Sequence, residues 1–206
     1  MRVAIVGGTG AFGRALAARL REAGHEVVVG SRDHDRAVAA AAELGVEGAE
    51  NGAAVSSAEL VVVATKADAA VETARELAAS IASTPVLSVA SELRFTGSGA
   101  VPGFEGDSVA EQVQAVLQGP VVAGLHSFAA SNLSGEDPPD EDALVCGDDA
   151  AAKALALELA KALTSGRVFD AGPLATARAL EGLTAVIVNL NKRYRGHAGI
   201  RLTGLP

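Results

Sequence analysis

Short runs of aliphatic and β-branched residues alternate with longer, alanine-rich segments along most of the chain. The short runs are continuously apolar, which is typical of parallel strands that are covered on both faces. The longer segments have the length and composition of helices. The predicted strands are 2–6, 26–30, 60–64, 85–89, 121–125, 143–147 and 167–171, and the predicted helices are 14–20, 33–45, 68–82, 108–117, 148–163 and 174–194.

This alternation predicts an α/β fold with a Rossmann-type, doubly wound, mainly parallel sheet and a small C-terminal α/β lobe. Residues 47–52 are predicted to be a polar connection. Residues 90–106 are glycine-rich and predict a long loop that covers a substrate, because loops of this length are usually functional or disordered. Residues 131–142 are acidic and predict an exposed loop between two lobes. We therefore predict a dinucleotide-binding domain at 1–130 and the small lobe at 131–206.

A glycine-rich turn joins the first strand to the first helix. Its glycines fill the pattern G-x-G-x-x-G, in which the first allows a tight turn and the second lets the backbone approach a pyrophosphate. The third lets the helix pack closely on the strand, and the helix N-terminus attracts phosphate. The sequence therefore predicts a dinucleotide site at Gly8, Thr9, Gly10, Ala11, Phe12 and Gly13.

The residues that follow the second strand bear on the choice between NAD and NADP. An Asp or Glu there binds the ribose 2′-hydroxyl of NAD, whereas Arg and small polar groups accommodate the 2′-phosphate of NADP. Ser31 and Arg32 occupy this position, and Arg36 follows one helical turn later. These residues favour NADP. Two alternatives stay open: Ser31 could cap the next helix with Arg32 in solvent, or Asp33 could bind the ribose.

Candidate ligand-binding residues follow other predicted strands at the edge where ligands bind in open α/β sheets. Thr65 follows the strand at 60–64, and Ala90 follows the strand at 85–89. His126 and Phe128 follow the strand at 121–125. A structural histidine and a functional histidine both fit the position of His126.

Composition narrows the class of protein. The 206 residues are 49% hydrophobic but only 3% aromatic, which predicts an aliphatic core. A net charge of −8 argues against nucleic-acid binding. The single cysteine, Cys146, excludes an internal disulfide and is predicted to be a small core residue. No apolar run reaches a membrane span, and the chain begins directly with a strand, so we expect a cytoplasmic protein without a signal peptide or a membrane partner.

No pair of side chains suited to acid–base chemistry stands out in the sequence, and no metal site is predicted. The only tyrosine, Tyr194, lies at the end of the last predicted helix, which argues against an ordinary short-chain dehydrogenase. Hydride transfer between two cofactors needs positioning rather than a side-chain proton donor. A non-catalytic NADP-sensing protein is the alternative from another functional class.

Several blocks of sequence resemble the NADPH-dependent reductases of coenzyme F420, an 8-hydroxy-5-deazaflavin. The resemblance covers nearly the whole chain, and its C-terminal blocks are more specific than the glycine turn. The blocks lie at 7–13, 23–32, 145–149, 169–174, 189–194, 197–200 and 203–204.

The resemblance implies reversible hydride transfer between nicotinamide C4 and deazaflavin C5, with the deazaflavin in a cleft between the Rossmann domain and the C-terminal lobe. It also implies a homodimer. By match of motif, NADP is held by Thr9, Ser31, Arg32 and Arg36, and the deazaflavin lies near His126 and Phe128.

Several residues depart from the usual pattern of that family: Phe128 is a larger ring where the family has a β-branched residue, and Arg36 stands where it more often has Lys. Ala129 and Lys66 stand where the family commonly has proline, and Glu92 introduces an acid beside the expected deazaflavin site. These departures leave open an alternative enzyme, an NADPH-dependent reductase of an imine, a flavin or a metal chelate.

Overall fold

The structure is a computed structural model that describes residues 1–103 and 105–205. Its N-terminal part alternates strands and helices as the sequence predicts. The elements are β1 Arg2–Val6, α1 Ala11–Glu22, β2 Glu26–Ser31, α2 His34–Leu44, β3 Glu47–Glu50, α3 Asn51–Ser56, β4 Leu60–Val63, α4 Ala67–Ile81 and β5 Val86–Ser88.

The remaining elements begin with a hairpin and end with the longest helix. They are β6 Leu93–Thr96, β7 Gly99–Pro102, α5 Val109–Gln114, β8 Val121–Gly124, α6 Ala130–Leu133, β9 Ala143–Gly147, α7 Ala150–Lys161, β10 Val168–Asp170, a 3₁₀ turn Leu174–Thr176 and α8 Ala177–Tyr194. In the described residues no helix is long and apolar enough to cross a membrane.

Eight strands form one sheet in the order β3-β2-β1-β4-β5-β8-β9-β10. Neighbouring strands are parallel except for the antiparallel pair β8 and β9. The chain moves outward from β1 to β3, then crosses back to β4 and continues the other way. The order therefore reverses between β1 and β4, where doubly wound sheets bind their ligands. The predicted Rossmann-type fold is confirmed.

Two aliphatic clusters cover the two faces of this sheet. Side chains of successive residues in β1 enter different clusters: Val3 and Ile5 join one, and Ala4 and Val6 join the other. This placement explains why the strand is continuously apolar. Cys146 is buried in the second cluster, and burial raises the pKa of its thiol to about 12, as expected of a core residue.

The structure corrects the predictions for three segments, 47–52, 90–106 and 131–142. Residues 47–50 form the edge strand β3 and residues 51–56 form α3. Residues 93–102 form the antiparallel hairpin β6–β7, so the predicted substrate-covering loop has its own secondary structure. Phe104, which belongs to that predicted loop, lies outside the described residues.

The acidic segment at 131–142 is not wholly exposed. Glu141 is 3% exposed and Asp142 is 0% exposed. Asp142 accepts hydrogen bonds from the amide of Leu202 at 2.7 Å and from the guanidinium of Arg167 at 2.8 Å. These acids are buried because they hold the C-terminal tail, a contact between segments about sixty residues apart that no local pattern reveals.

Candidate functional site

The glycine turn after β1 has the geometry of a phosphate-binding turn. The amide of Gly10 donates to the carbonyl of Gly7 at 3.0 Å, and α1 starts at Ala11 without a side-chain cap. A helix start without a cap leaves main-chain N–H groups available to an anion. The turn therefore directs hydrogen-bond donors and the positive end of a helix dipole toward the switch point of the sheet.

Two glycines in this turn are required for different reasons. Gly7 has a φ of 82°, so the left-handed conformation belongs to Gly7 rather than to Gly8, where the sequence pattern places the tight turn. A Cβ on Gly13 would lie 2.7 Å from the Cα of Gly8. Gly13 therefore lets α1 pack directly against the turn that follows β1, rather than against the strand itself.

A cavity of about 610 Å³ runs from this turn across the ends of β2 and β4. The predicted residues Thr9, Gly10, Ser31, Arg32, Arg36 and Thr65 line it together. Within the described residues neither Arg32 nor Arg36 forms a salt bridge. The cavity therefore extends from a phosphate-binding turn to two guanidinium groups that have no salt-bridge partner in the described residues.

Asp33 has a structural function in the loop between β2 and α2. Its carboxylate accepts a hydrogen bond from the amide of Arg36 at 3.0 Å and so caps α2. Ser31 accepts from the amide of Asp33 at 3.3 Å and does not cap the helix. Two of the three side chains that the sequence left ambiguous are therefore assigned by their hydrogen bonds.

A second cavity of about 210 Å³ adjoins the first at the end of β4. The two share Ala64, Thr65 and Lys66. The second cavity is otherwise lined by the predicted residues Phe12, Ala90, His126 and Phe128, and by Ala67, Val89, Ser91, Leu93, Leu125 and Thr184. The structure thus brings predicted residues from the ends of β1, β2, β4, β5 and β8 to one continuous cleft, whereas Gly8, Ala11 and Gly13 line neither cavity.

His126 lies at the base of the second cavity. Its side chain is almost completely buried, and burial lowers its pKa to about 4 against a smaller, opposing effect of the Ala90 backbone. The preceding residue, Leu125, has a φ of 65°, an unusual conformation for a bulky residue that occurs mainly where surrounding structure enforces it. The imidazole is therefore neutral at physiological pH, and neither of its ring nitrogens has a hydrogen-bond partner in the described residues.

Thr184 of α8 is a residue of the second cavity that the sequence did not reveal. Its hydroxyl donates to the carbonyl of His126 at 2.9 Å and lies 2.8 Å from the hydroxyl of Ser91. This chain of contacts ties α8 to the ends of β5 and β8. A single threonine in a long amphipathic helix carries no local signal of such a position.

Glu92 does not line either cavity, although its neighbours Ser91 and Leu93 do. Its side chain packs near the backbone of Gly103, where an added Cβ would lie 2.9 Å from Glu92 Cγ. The acid that departs from the resembled family's pattern therefore points away from the cleft.

Buried polar atoms without a hydrogen-bond partner are concentrated along this edge of the sheet. Within the described residues they include atoms of Asn51, Thr65, Ser88, His126 and Ser127. Each of these residues lies at or just after the carboxyl end of a strand. Asn51, Thr65 and His126 line the cleft, and since buried polar groups are normally paired, the cleft fits a ligand that brings its own polar groups.

Comparisons with known proteins agree with this geometry. A family model for coenzyme F420-dependent NADP oxidoreductases matches residues 2–92. The F420-dependent NADP reductase of Methanothermobacter thermautotrophicus is 34% identical over 100% of this chain and 96% of its own length. The reductase of the same name from Methanocaldococcus jannaschii is 33% identical over 100% of this chain and 99% of its own.

A solved structure extends the likeness to the whole fold. The crystal structure of a protein from Arthrobacter sp. FB24, provisionally named an F420-dependent NADP-reductase, superposes with a TM-score of 0.85 at 29% sequence identity. It covers 98% of this chain and 99% of its own. The family resemblance found in the sequence is confirmed: this chain belongs to the family of F420-dependent NADP reductases.

Proposed function

We propose that this protein transfers a hydride reversibly between NADP(H) and coenzyme F420. The observation that carries this proposal is the pair of adjoining cavities that share the end of β4. One cavity is lined by the glycine turn and by the guanidinium groups of Arg32 and Arg36, unpaired in the described residues, and the other is mostly apolar and is lined by the neutral His126. A cleft of this form suits two cofactors that meet near Thr65.

The NADP side of the cleft is assigned to the glycine turn and the loop after β2. We propose that Gly8, Thr9, Gly10, Ala11, Phe12 and Gly13 hold the pyrophosphate, and that Ser31, Arg32 and Arg36 hold the 2′-phosphate. Arg is well suited to the latter because its planar guanidinium binds phosphate oxygens in pairs. Thr65, with its unpaired hydroxyl, would lie near the nicotinamide end.

The deazaflavin side is assigned to Ala90, His126 and Phe128. In the proposed reaction NADPH is oxidised and the deazaflavin is reduced by a hydride that moves from nicotinamide C4 to deazaflavin C5, with one proton taken from solvent. The residues of this chain bind and orient the two rings and exclude water. His126, whose pKa is about 4, stays neutral and can donate a hydrogen bond from one ring nitrogen.

A spectrophotometric assay tests the proposed function directly. Added protein should bleach the visible absorbance of coenzyme F420 in the presence of NADPH, and should do so much more slowly with NADH. No bleaching at any pH would contradict the proposal. Turnover of an imine, a flavin or a metal chelate by NADPH, without turnover of the deazaflavin, would favour the alternative reductase.

The C-terminal part of the chain completes the cleft in this proposal. We propose that residues 1–130 bind NADP and that residues 131–206 close the deazaflavin side, which is supported by the position of Thr184 in the second cavity. The sheet itself runs across this division, since β8 pairs with β9.

We also propose a cytoplasmic location, where NADP(H) is available to the protein.

We propose further that two copies associate through α8. Val186, Leu190 and Tyr194 repeat every four residues along this helix, and their exposed fractions are 51%, 38% and 73%. Residues at this spacing lie on one side of a helix. A second copy that packs against this side would bury an apolar stripe, as in other twofold-symmetric dimers.

A charge placed in this stripe should dissociate the dimer. A Val186→Glu/Leu190→Glu variant is expected to sediment as a monomer in analytical ultracentrifugation, where the wild type sediments as a dimer, because buried unpaired charges are costly. Val38→Glu is the matched control, since Val38 is 43% exposed but lies on α2. A wild-type monomer, or a double variant that remains dimeric, would contradict this interface.

A further inference from the structure

Lys66 lies where the first and second cavities adjoin, and neither the proposed NADP site nor the proposed deazaflavin site uses its charge. It follows Thr65 at the end of β4, and both residues line both cavities. Lys66 is exposed, and within the described residues its side chain forms no salt bridge and no hydrogen bond. The proposed function brings the two cofactors together near Thr65, so this unpaired ammonium group is next to the point of hydride transfer.

The charge of Lys66 has little competition on either side of the junction. It is the only charged residue among those that line the second cavity, because burial keeps His126 neutral. In the first cavity the other charged lining residues are Arg32, Asp33, Arg36 and Asp68. The first three follow β2, which is separated from β4 by β1, so they lie about two strand spacings, or about 10 Å, from the end of β4.

The start of α4 adds to the positive charge at the junction. This helix spans Ala67–Ile81 and begins without a side-chain cap, so its first N–H groups carry partial positive charge. Asp68 is the acidic residue of its first turn, but it lines only the first cavity and does not pair with Lys66. In the described residues, the positive charge at the end of β4 is therefore not neutralised by an ion pair.

Hydride transfer changes the charge of the nicotinamide ring and leaves the rest of the nucleotide unchanged. NADPH carries a neutral dihydronicotinamide. Loss of a hydride, which takes two electrons to the deazaflavin, leaves a pyridinium cation, and the reduced deazaflavin takes one proton from solvent. A fixed cation near this ring therefore repels the oxidised nucleotide but not the reduced one, and the repulsion is stronger where apolar walls exclude water.

We propose that Lys66 sets the preference of this chain for the reduced nucleotide: its ammonium group repels the nicotinamide cation, so that NADPH is bound more tightly than NADP+ and NADP+ is released once the hydride has moved. This inference rests on the proposed function, because it assigns the nicotinamide ring to the junction of the two cavities. The proline that is common at this position in the family carries no charge, so the repulsion is a property of this chain.

The test measures the dissociation constants of NADPH and NADP+ by isothermal titration calorimetry, without any deazaflavin. The two nucleotides have identical phosphates, so the ratio of Kd for NADP+ to Kd for NADPH isolates the effect of the ring charge. We expect this ratio to fall about five- to tenfold in Lys66→Met, because NADP+ binds more tightly, and to keep its wild-type value in Lys66→Arg. Added salt should lower the wild-type ratio toward that of Lys66→Met.

Three further variants separate the charge of Lys66 from other effects. The φ of −62° at Lys66 is one that proline adopts, so Lys66→Pro should give the same ratio as Lys66→Met. Arg36→Met removes a proposed phosphate partner and should raise both dissociation constants by the same factor, which leaves the ratio unchanged. Lys161→Met removes a charge from an exposed position of α7 and should change neither constant.

The results that would overturn the inference are distinct from failure of the proposed function. If Lys66→Met raises both dissociation constants by the same factor, Lys66 binds a phosphate group rather than opposing the ring charge. If it changes neither constant, the charge of Lys66 does not reach the ring. Either result overturns the inference while the proposed function stands. If the wild type binds neither nucleotide, the proposed function fails and the inference fails with it.

Discussion

An Arg32→Asp variant is expected to lose its preference for NADP over NAD, with the ratio of kcat/KM for NADPH to that for NADH falling at least about 100-fold. Arg32 lines the first cavity together with Ser31 and Arg36, and it has no salt-bridge partner in the described residues that would compete for it. A hydrogen bond to a charged group contributes about 1.5–3 kcal/mol. An aspartate in its place would also repel the 2′-phosphate. Initial rates with both nucleotides, at saturating deazaflavin, measure the ratio.

Asp33→Ala provides the matched control for this experiment. Asp33 caps α2, so its removal should cost about 1 kcal/mol of stability in urea unfolding and leave the nucleotide preference unchanged. If Arg32→Asp keeps the wild-type ratio of kcat/KM for NADPH to that for NADH, Arg32 does not bind the 2′-phosphate. A changed ratio in Asp33→Ala would instead show that Asp33 contacts the ribose.

The parts of the cleft that the sequence predicts are those built from consecutive residues. β1, the glycine turn and α1 form a continuous unit, so the spacing of Gly8, Gly10 and Gly13 predicts the turn, although the left-handed residue is Gly7. Ser31 and Arg32 are predictable for the same reason, because they follow β2 directly. Strand order then brings the ends of β1, β2 and β4 together without further information.

Residues that depend on contacts between distant segments are not predictable in this way. Thr184 enters the second cavity only because α8 crosses the ends of β5 and β8, and Asp142 is buried only because the tail returns to it. β3, with the sequence EGAE, is not predictable from its residues either, because they are not typical of a strand. A Cβ on its Gly48 would lie 2.6 Å from the carbonyl of Ala37, so close packing under α2 rather than intrinsic propensity defines this strand.

Glu181 shows the same long-range dependence and carries the largest expected effect on stability. It lies in α8 and is 0% exposed, and its two carboxylate oxygens each accept a hydrogen bond at 3.0 Å, from the amides of Val109 and Ala110. These amides begin α5, whose next free amide, that of Glu111, is capped by Ser108. Glu181 thus satisfies buried donors that α5 cannot satisfy itself.

Glu181→Ala is expected to destabilise the protein by about 3–5 kcal/mol, because it leaves two buried N–H groups unpaired and creates a cavity. This is a large fraction of the free energy of unfolding of a typical domain. Urea unfolding followed by circular dichroism measures the loss. Glu158→Ala, at an exposed position of α7, should change stability by less than about 0.5 kcal/mol. A loss that small for Glu181→Ala would show that α5 does not depend on this carboxylate.

The pH dependence of stability gives Glu181 an independent test. Burial raises its pKa to about 7, against the opposing effect of the hydrogen bonds from Val109 and Ala110. A group whose pKa is higher in the folded state stabilises the protein fully below its unfolded value of 4.5 and loses that contribution as pH rises through the folded value. The stability of the wild type relative to Glu181→Gln, which cannot titrate, should therefore fall between about pH 4.5 and 7 and stay constant above that range. If the difference in free energy of unfolding between the wild type and Glu181→Gln does not change across this range, Glu181 is ionised throughout it. The hydrogen bonds from the two amides at the start of α5 would then outweigh the effect of burial on its pKa.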